Sequence, residues 1–190
     1  MATNAQYLAS LVNSSGNIVL PVANAGIVFN NTNTPASPTS TTQNDYETGT
    51  FTPTIGGSST FGTTTYGSVN TEYNGYYTKI GNMVFVQITF NILSVSGGSG
   101  NILVSSLPFV SASSPAPYGS CSLGTINNVT HSGSRTQFAF RTNPGAANAT
   151  MWEFGLASGA IGDQPVPYGS LCAGGGASNI TMELVYRSTF

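Results

Sequence analysis

Ionisable side chains are scarce in this chain of 190 residues. Charged residues make up 5% of it, against about 25% in an average soluble domain. Binding of nucleic acid requires a cluster of cations that neutralises several phosphates. The four basic residues are instead scattered along the chain, so we predict no nucleic-acid partner. They are Lys79, Arg135, Arg141 and Arg187.

Histidine and cysteine are equally scarce. His131 is the single histidine, and its Gly- and Ser-rich surroundings, "NVTHSGSRT", are typical of a solvent-exposed loop. Any Ser-His or Cys-His nucleophile would depend on it. Together with Cys121 and Cys172 it supplies too few ligands, too far apart, for a metal site. We expect no metal and no cofactor, and the two cysteines either pair across neighbouring strands or serve as small buried side chains.

Long apolar runs are also missing. No stretch approaches the roughly 20 apolar residues of a membrane-spanning helix. The first residues, "MATNAQYLASLVN", lack both the basic start and the apolar run of a secretion signal. We therefore expect no membrane insertion and no signal peptide.

Aromatic and small polar residues are what the chain has in abundance. It contains 9 Tyr and 10 Phe, and 39% of its residues are hydrophobic, which is enough for a packed core. The remainder is mostly Gly, Ser, Thr, Asn and Pro. A surface of hydroxyls and amides with a net charge of −2 repels itself weakly, which suits a protein held permanently in an assembly.

The clearest structural pattern is a predicted β-hairpin around Gly81 and Asn82, a dipeptide typical of tight turns between strands. After this turn, apolar side chains occupy every second position, as in a strand with one buried face. A similar alternation occurs near the end of the chain. The predicted inward-facing residues are Val84, Val86, Ile88, Phe90 and Ile92 in the first strand and Ile180, Met182, Leu184 and Tyr186 in the last.

Further short strands, separated by Gly- and Pro-containing turns, are predicted at 119–126, 136–142 and 150–157. Many short strands with regular turns indicate an all-β fold, specifically an antiparallel β-sandwich or a jelly-roll-like domain. We predict that this domain spans residues 46–190.

Residues 1–45 are predicted to be an extended N-terminal anchoring arm and linker. Residues 31–44 are rich in Asn, Thr, Pro and Ser and cannot bury themselves. The apolar residues before them are too few for a core, so we expect them to pack on neighbouring chains. They comprise three residues at helical spacing, Leu8, Leu11 and Val12, and the short run Ile18, Val19 and Leu20.

Acid chemistry is the remaining route to catalysis, because a glycosidase needs only two carboxylates. Asp45 and Glu47 lie close together, and Glu153 follows Trp152, a residue type that often stacks on sugars. We interpret Glu153 as an outward-facing strand residue between two core residues, Trp152 and Phe154. We interpret Asp45 and Glu47 as turn-capping residues that accept backbone N–H bonds. No catalytic residue is therefore predicted, and the protein is expected not to be an enzyme.

Residues 44–109 contain the stretches "NDYETGTFTPTIGG", "NGYYTKIGNMVFVQITF" and "LPF" in this order. In this combination they resemble a module found in tail fibres and other structural proteins of tailed-bacteriophage virions. The resemblance implies that the acidic stretch is a junction between arm and domain, where Gly49 permits a bend, Phe51 buries its ring and Pro53 ends the first strand. The junction residues are Asp45, Tyr46, Glu47, Gly49, Phe51 and Pro53.

The resemblance further implies a homotrimer on the virion surface, attached through its arm to a tail protein or to the major capsid protein. Two roles stay open: a short tail fibre or adhesin for a host-surface glycan, and a capsid decoration (cement or head-fibre) protein. A capsule depolymerase is a third alternative. For an adhesin, the expected receptor contacts are Tyr118, Trp152 and Tyr168, because flat rings stack on sugars while amides and hydroxyls bond them.

Overall fold

The structure is a computed structural model that describes residues 14–15, 27–28, 42–43, 45–67, 73–113, 118–131, 135–157 and 160–189. The chain divides into two units, residues 1–46 and 47–190. In the first unit, β1 (Ile27–Val28) pairs with β2 (Thr42–Gln43) in an antiparallel ladder, within the residues predicted to be an extended arm and linker. Among the described residues there is no helix of the length and apolar character needed to cross a membrane.

The predicted anchoring residues of the arm lie outside the described residues, so their role stays a prediction. They are Leu8, Leu11, Val12, Ile18, Val19 and Leu20.

The remaining strands run from residue 46 to residue 187. One 3-10 turn, Tyr168–Ser170, interrupts them. The strands are β3 (Tyr46–Phe51), β4 (Thr54–Gly57), β5 (Thr63–Tyr66), β6 (Tyr73–Ile80), β7 (Met83–Ser96), β8 (Ile102–Ser105), β9 (Ser120–Ile126), β10 (Arg135–Thr142), β11 (Asn148–Ala157), β12 (Ala160–Pro165) and β13 (Ser178–Arg187).

Two sheets form from these strands. The five-stranded sheet has the order β10-β11-β8-β4, with β12 also paired to β11. The six-stranded sheet has the order β3-β6-β7-β13-β9, with β5 also paired to β7. The registered pairs are antiparallel, and one hydrophobic core joins side chains from both sheets. The predicted all-β, antiparallel sandwich is confirmed.

The core lies where the alternating patterns placed it. All five predicted inward side chains of β7, and all four of β13, are at most 2% exposed. The five-stranded sheet supplies the opposite wall of the core, including Ile55, Ile102 and Phe140. Each fully buried aliphatic or aromatic side chain of this kind contributes roughly 1.5–3 kcal/mol through loss of water contact.

The hairpin between β6 and β7 is also confirmed. Ile80 pairs with Met83, which leaves Gly81 and Asn82 as the two loop residues. Gly81 has a φ of 57°, a left-handed conformation that glycine adopts without steric cost.

The orientation predicted for Glu153 is wrong. Its side chain is fully buried, whereas Trp152 and Phe154 are half-buried on the other face of β11. Ala149 and Met151 occupy the buried face of this strand, and strand alternation then turns Glu153 inward as well. The Gln164 Nε2 on β12 donates a hydrogen bond to the Glu153 Oε1, which satisfies part of the buried carboxylate.

The two cysteines do not pair. Cys121 on β9 and Cys172, after the 3-10 turn, are both free and half-buried. Burial raises the pKa of the Cys121 thiol. The Cys172 thiol instead donates to the carbonyl oxygen of Ile92 at 3.3 Å. The alternative of small, partly buried side chains is therefore the correct one.

Candidate functional site

Three junction residues, Glu47, Gly49 and Phe51, lie around the ring of Tyr77 on β6. Its phenol donates a hydrogen bond to the Glu47 carboxylate, and this bond raises the pKa of Tyr77. Its ring lies on Gly49, where an added Cβ would be 2.8 Å from ring atoms. The ring of Phe109 meets Tyr77 edge-on at 5.3 Å between centroids. Among the described residues, Glu47 thus accepts a hydrogen bond from a side chain, where the prediction was a backbone N–H group.

A reciprocal contact joins the same two strands. The ring of Phe51 on β3 covers Gly75 on β6, where an added Cβ would be 2.5 Å from ring atoms. Rings that cover cross-strand glycines fix the register of neighbouring strands. Strand β3 ends at Phe51, two residues before the buried Pro53. The quoted motif is therefore a packing unit, and its role as an arm-to-domain junction stays a prediction.

The two residues before this unit are described individually. Asp45 is half-buried, and Tyr46 is exposed.

Tyr168, one of the three expected receptor contacts, is buried. Its side chain is 3% exposed, and its phenol donates to the carbonyl oxygen of Thr63 at 3.3 Å. The prediction that it contacts a receptor is wrong for this residue, because the 3-10 turn directs its ring into the core.

The other two expected contacts, Tyr118 and Trp152, meet around Arg141 on the outer face of the five-stranded sheet. The Arg141 guanidinium carbon lies 3.5 Å from the centroid of the Trp152 ring and 5.4 Å from that of Tyr118. Phe154 lies further away, at 6.0 Å. Arg141 also forms an ion pair with Asp163 at 3.1 Å. We call these five residues the Arg141 cluster.

Contacts within the chain occupy most of the Arg141 cluster, although the buried Arg141 Nε has no hydrogen-bond partner among the described residues. Arg141 covers one face of the Trp152 indole in a cation–π contact and forms an ion pair with Asp163. Tyr118, 60% exposed, offers the most open ring of the cluster. Trp152 is therefore a poor stacking platform for a sugar, although its side chain is only half-buried.

A groove that sequence reasoning missed crosses the outer face of the six-stranded sheet. It has a volume of about 360 Å³, and a second depression of about 220 Å³ continues it across the same strands. Tyr76, Gln87 and Glu183 line both parts. We call the combined depression the Tyr76 groove.

The registers of β6, β7 and β13 arrange the outward side chains of the groove in three parallel rows. Each row takes one residue from each strand, in the order β6, β7, β13. The rows are Thr78, Phe85 and Val185; then Tyr76, Gln87 and Glu183; then Asn74, Thr89 and Thr181.

Open rings and polar groups lie side by side in this groove. Tyr76 is 49% exposed and Phe85 is 45% exposed. The Gln87 Nε2 donates to the Glu183 Oε1 at 2.9 Å in the middle row. Glu183 is the one carboxylate among the lining residues, whereas acid–base hydrolysis of a glycosidic bond uses two. The arrangement suits binding of a polyhydroxylated ligand.

Metal binding finds no support in the described part of the chain, where no three His, Cys, Asp or Glu side chains lie close enough to hold an ion. His131 is exposed, as expected of a loop histidine, and its ring lies 6.4 Å from that of Phe138.

The fold resembles part of a known phage protein. A search of solved structures matches the chain to the crystal structure of the Dettilon tailspike protein (gp208), with a TM-score of 0.54 and 23% sequence identity. The match covers 74% of this chain and 24% of the tailspike chain, so the chain spans about a quarter of that protein. No family model and no curated protein matches the sequence. At this identity the likeness establishes a shared fold.

Proposed function

We propose that this protein is a non-enzymatic structural protein of the virion of a tailed bacteriophage, of the short tail-fibre or adhesin type. Residues 1–45 attach it to another virion protein, and the β-sandwich projects from the virion surface towards a host-surface glycan. The observation that carries this proposal is the likeness of the sandwich to part of a phage tailspike.

Two features of the chain support the same role. The junction motif, which resembles one found in virion proteins, forms a packed unit in which Phe51 and Tyr77 cover cross-strand glycines. The surface is nearly free of ions, with 5% charged residues in the whole sequence, which favours permanent association over independent diffusion. A homotrimer fits this role, and light scattering of the full chain gives its mass.

The location of the protein tests the proposal. Antibodies against residues 47–190, carrying gold particles, are expected to label the tail in electron micrographs of virions. Label on the head, at hundreds of copies, would favour the capsid-decoration role, and absence of label from intact virions would refute both. Quantitative mass spectrometry of purified virions checks the copy number.

Two functional assays complete the test. The purified full-length protein is expected to bind host cells and to slow adsorption of the phage by competition. It is expected to release no reducing sugar from host polysaccharide. Release of sugar that Glu183→Gln or Glu153→Gln abolishes would instead establish the depolymerase alternative.

A further inference from the structure

We propose that the Tyr76 groove is a binding site for a neutral oligosaccharide that lies across β6, β7 and β13. The proposal rests on the proposed function for the origin of the ligand, a host-surface glycan. The chemistry of the site comes from the residues of the groove itself.

The apolar part of the site consists of two open rings in neighbouring rows. Tyr76 and Phe85 are each nearly half exposed, although they belong to adjacent strands of a packed sheet. Residues at such diagonal positions lie about 7–8 Å apart, so one extended ligand can contact both rings. The C–H face of a sugar ring is flat and apolar and stacks on rings of this kind.

The polar part of the site is the pair of Gln87 and Glu183 in the middle row. Their mutual hydrogen bond uses one amide N–H group and one carboxylate oxygen. The second N–H group and the amide oxygen of Gln87, with the second oxygen of Glu183, are then available to adjacent hydroxyl groups of a sugar. The bond also holds both side chains in place, which lowers the entropy lost on binding.

The charge of the groove favours a neutral ligand over an acidic one. Glu183 is the one Asp, Glu, Lys, Arg or His side chain among those lining the groove, and it lies in the central row. An acidic sugar would meet this carboxylate at the centre of the site. The remaining polar residues of the groove, Asn74, Thr78, Thr89 and Thr181, are amides and hydroxyls.

Glycan-array binding of the full-length protein tests the site, with immobilised neutral oligosaccharides and oligosaccharides that contain uronic or sialic acid as probes. We expect binding to neutral probes, and Tyr76→Ala should weaken it by roughly tenfold or more, as loss of a central aromatic contact does. Glu183→Gln, which keeps the shape of the side chain, should weaken it by a smaller factor. Tyr118→Ala is the competing variant, because Tyr118 is an even more exposed tyrosine beside Arg141 and was itself an expected receptor contact. If the groove is the binding site, this variant should leave binding unchanged.

Several outcomes would overturn the site. These are absence of binding to every neutral probe, preference for acidic probes, or loss of binding in Tyr118→Ala with binding retained in Tyr76→Ala. A change in the oligomeric mass of Tyr76→Ala by light scattering would show that a second copy of the chain occupies the groove. Circular dichroism of each variant checks that it is folded.

The two proposals fail separately. Tail labelling combined with glycan binding that ignores Tyr76 would remove the groove and keep the virion role. Glycan binding that depends on Tyr76, in a protein that no virion contains, would keep the groove and remove the virion role.

Discussion

The outer faces of the two sheets carry similar residue types but differ in how those residues are used. On the five-stranded sheet, Arg141 stacks on Trp152 and pairs with Asp163, so ring, cation and acid satisfy one another. On the six-stranded sheet, Tyr76 and Phe85 remain open beside a carboxylate. An aromatic residue next to an acid is therefore weak evidence for a binding site until its neighbours are known.

The difference follows from the position of one cation. The planar guanidinium of Arg141 can cover an indole and bind a carboxylate at the same time. The residues lining the Tyr76 groove include no Lys or Arg, so no cation of the groove covers its rings. Adjacent residues of β6 show the same contrast, since Tyr77 is held by Glu47 and Gly49 while Tyr76 is open.

The largest effect on stability should come from the buried phenols in the core between the two sheets. Burial raises the pKa of Tyr186 from 10.0 to about 12, and that of Tyr73 also to about 12. Above pH 10 the unfolded chain loses protons that the folded chain retains, so stability is fully present below pH 10 and falls as the pH rises to 12. For Tyr186 alone, the free energy of unfolding falls by up to about 1.4 kcal/mol per pH unit. Between pH 10 and pH 12 this amounts to about 3 kcal/mol.

Urea denaturation of the full chain between pH 8 and pH 12 measures this loss. Tyr186→Phe is the control: it loses the hydrogen bond to the Phe109 carbonyl oxygen at 2.9 Å and is less stable at pH 8, but its stability should fall less between pH 10 and pH 12. A wild-type stability that stays flat over this interval would contradict the enclosure of these phenols.

The sequence predicts well those strands that have one buried face. In β7 and β13 the alternation of Val, Ile, Phe, Met and Leu with polar residues determines which side faces the core. Strand β12, "AIGDQP", has no such alternation, although it pairs with β11. Strand β5, "TTTY", is similarly uninformative, although its Tyr66 stacks on Tyr73 at 4.0 Å.

The candidate site was harder to predict for a physical reason. Its rows join residues about a hundred positions apart, such as Gln87 and Glu183, and only the sheet register brings them together. The alternation did mark Phe85 and Gln87 as outward-facing, which was a usable signal. Glu153 shows the opposite error: its large neighbours Trp152 and Phe154 suggested the core, whereas Gln164 across the ladder allows the carboxylate to be the buried residue.

The second prediction compares the two faces directly. Trp152→Ala should lower the free energy of unfolding by about 2 kcal/mol, because it removes a half-buried indole together with the surface on which Arg141 lies. Tyr76→Ala should change stability by less than about 0.5 kcal/mol, since its ring is open. Urea denaturation at pH 7 measures both, and equal losses would show that Tyr76 is packed as firmly as Trp152.

The third prediction concerns the enclosed neighbour of Tyr76. Gly49→Ala places a Cβ 2.8 Å from the Tyr77 ring, so the ring must move, which disturbs its contacts with Glu47 and Phe109. We expect a loss of roughly 1–2 kcal/mol by thermal or urea unfolding. Gly124→Ala is the matched control, because the nearest atoms to its Cβ would lie 3.7 Å away. If both variants lose the same amount, the cost is general to glycines in strands and not specific to the Tyr77 contact.

The smallest effect should come from the ion pair of the Arg141 cluster. Arg141 and Asp163 are 26% and 44% exposed, so solvent and salt screen their attraction. Asp163→Asn should therefore cost less than about 1 kcal/mol, and the cost should vanish at high salt, because the contact between Arg141 and Trp152 stays in place. Glu183→Gln on the other face should show no comparable salt dependence, since its partner Gln87 is uncharged. Thermal unfolding at low and high salt measures the stability of both variants. A large loss of stability in Asp163→Asn that does not depend on salt would mean that Asp163, and not the stacked Trp152 ring, holds Arg141 in place on the five-stranded sheet.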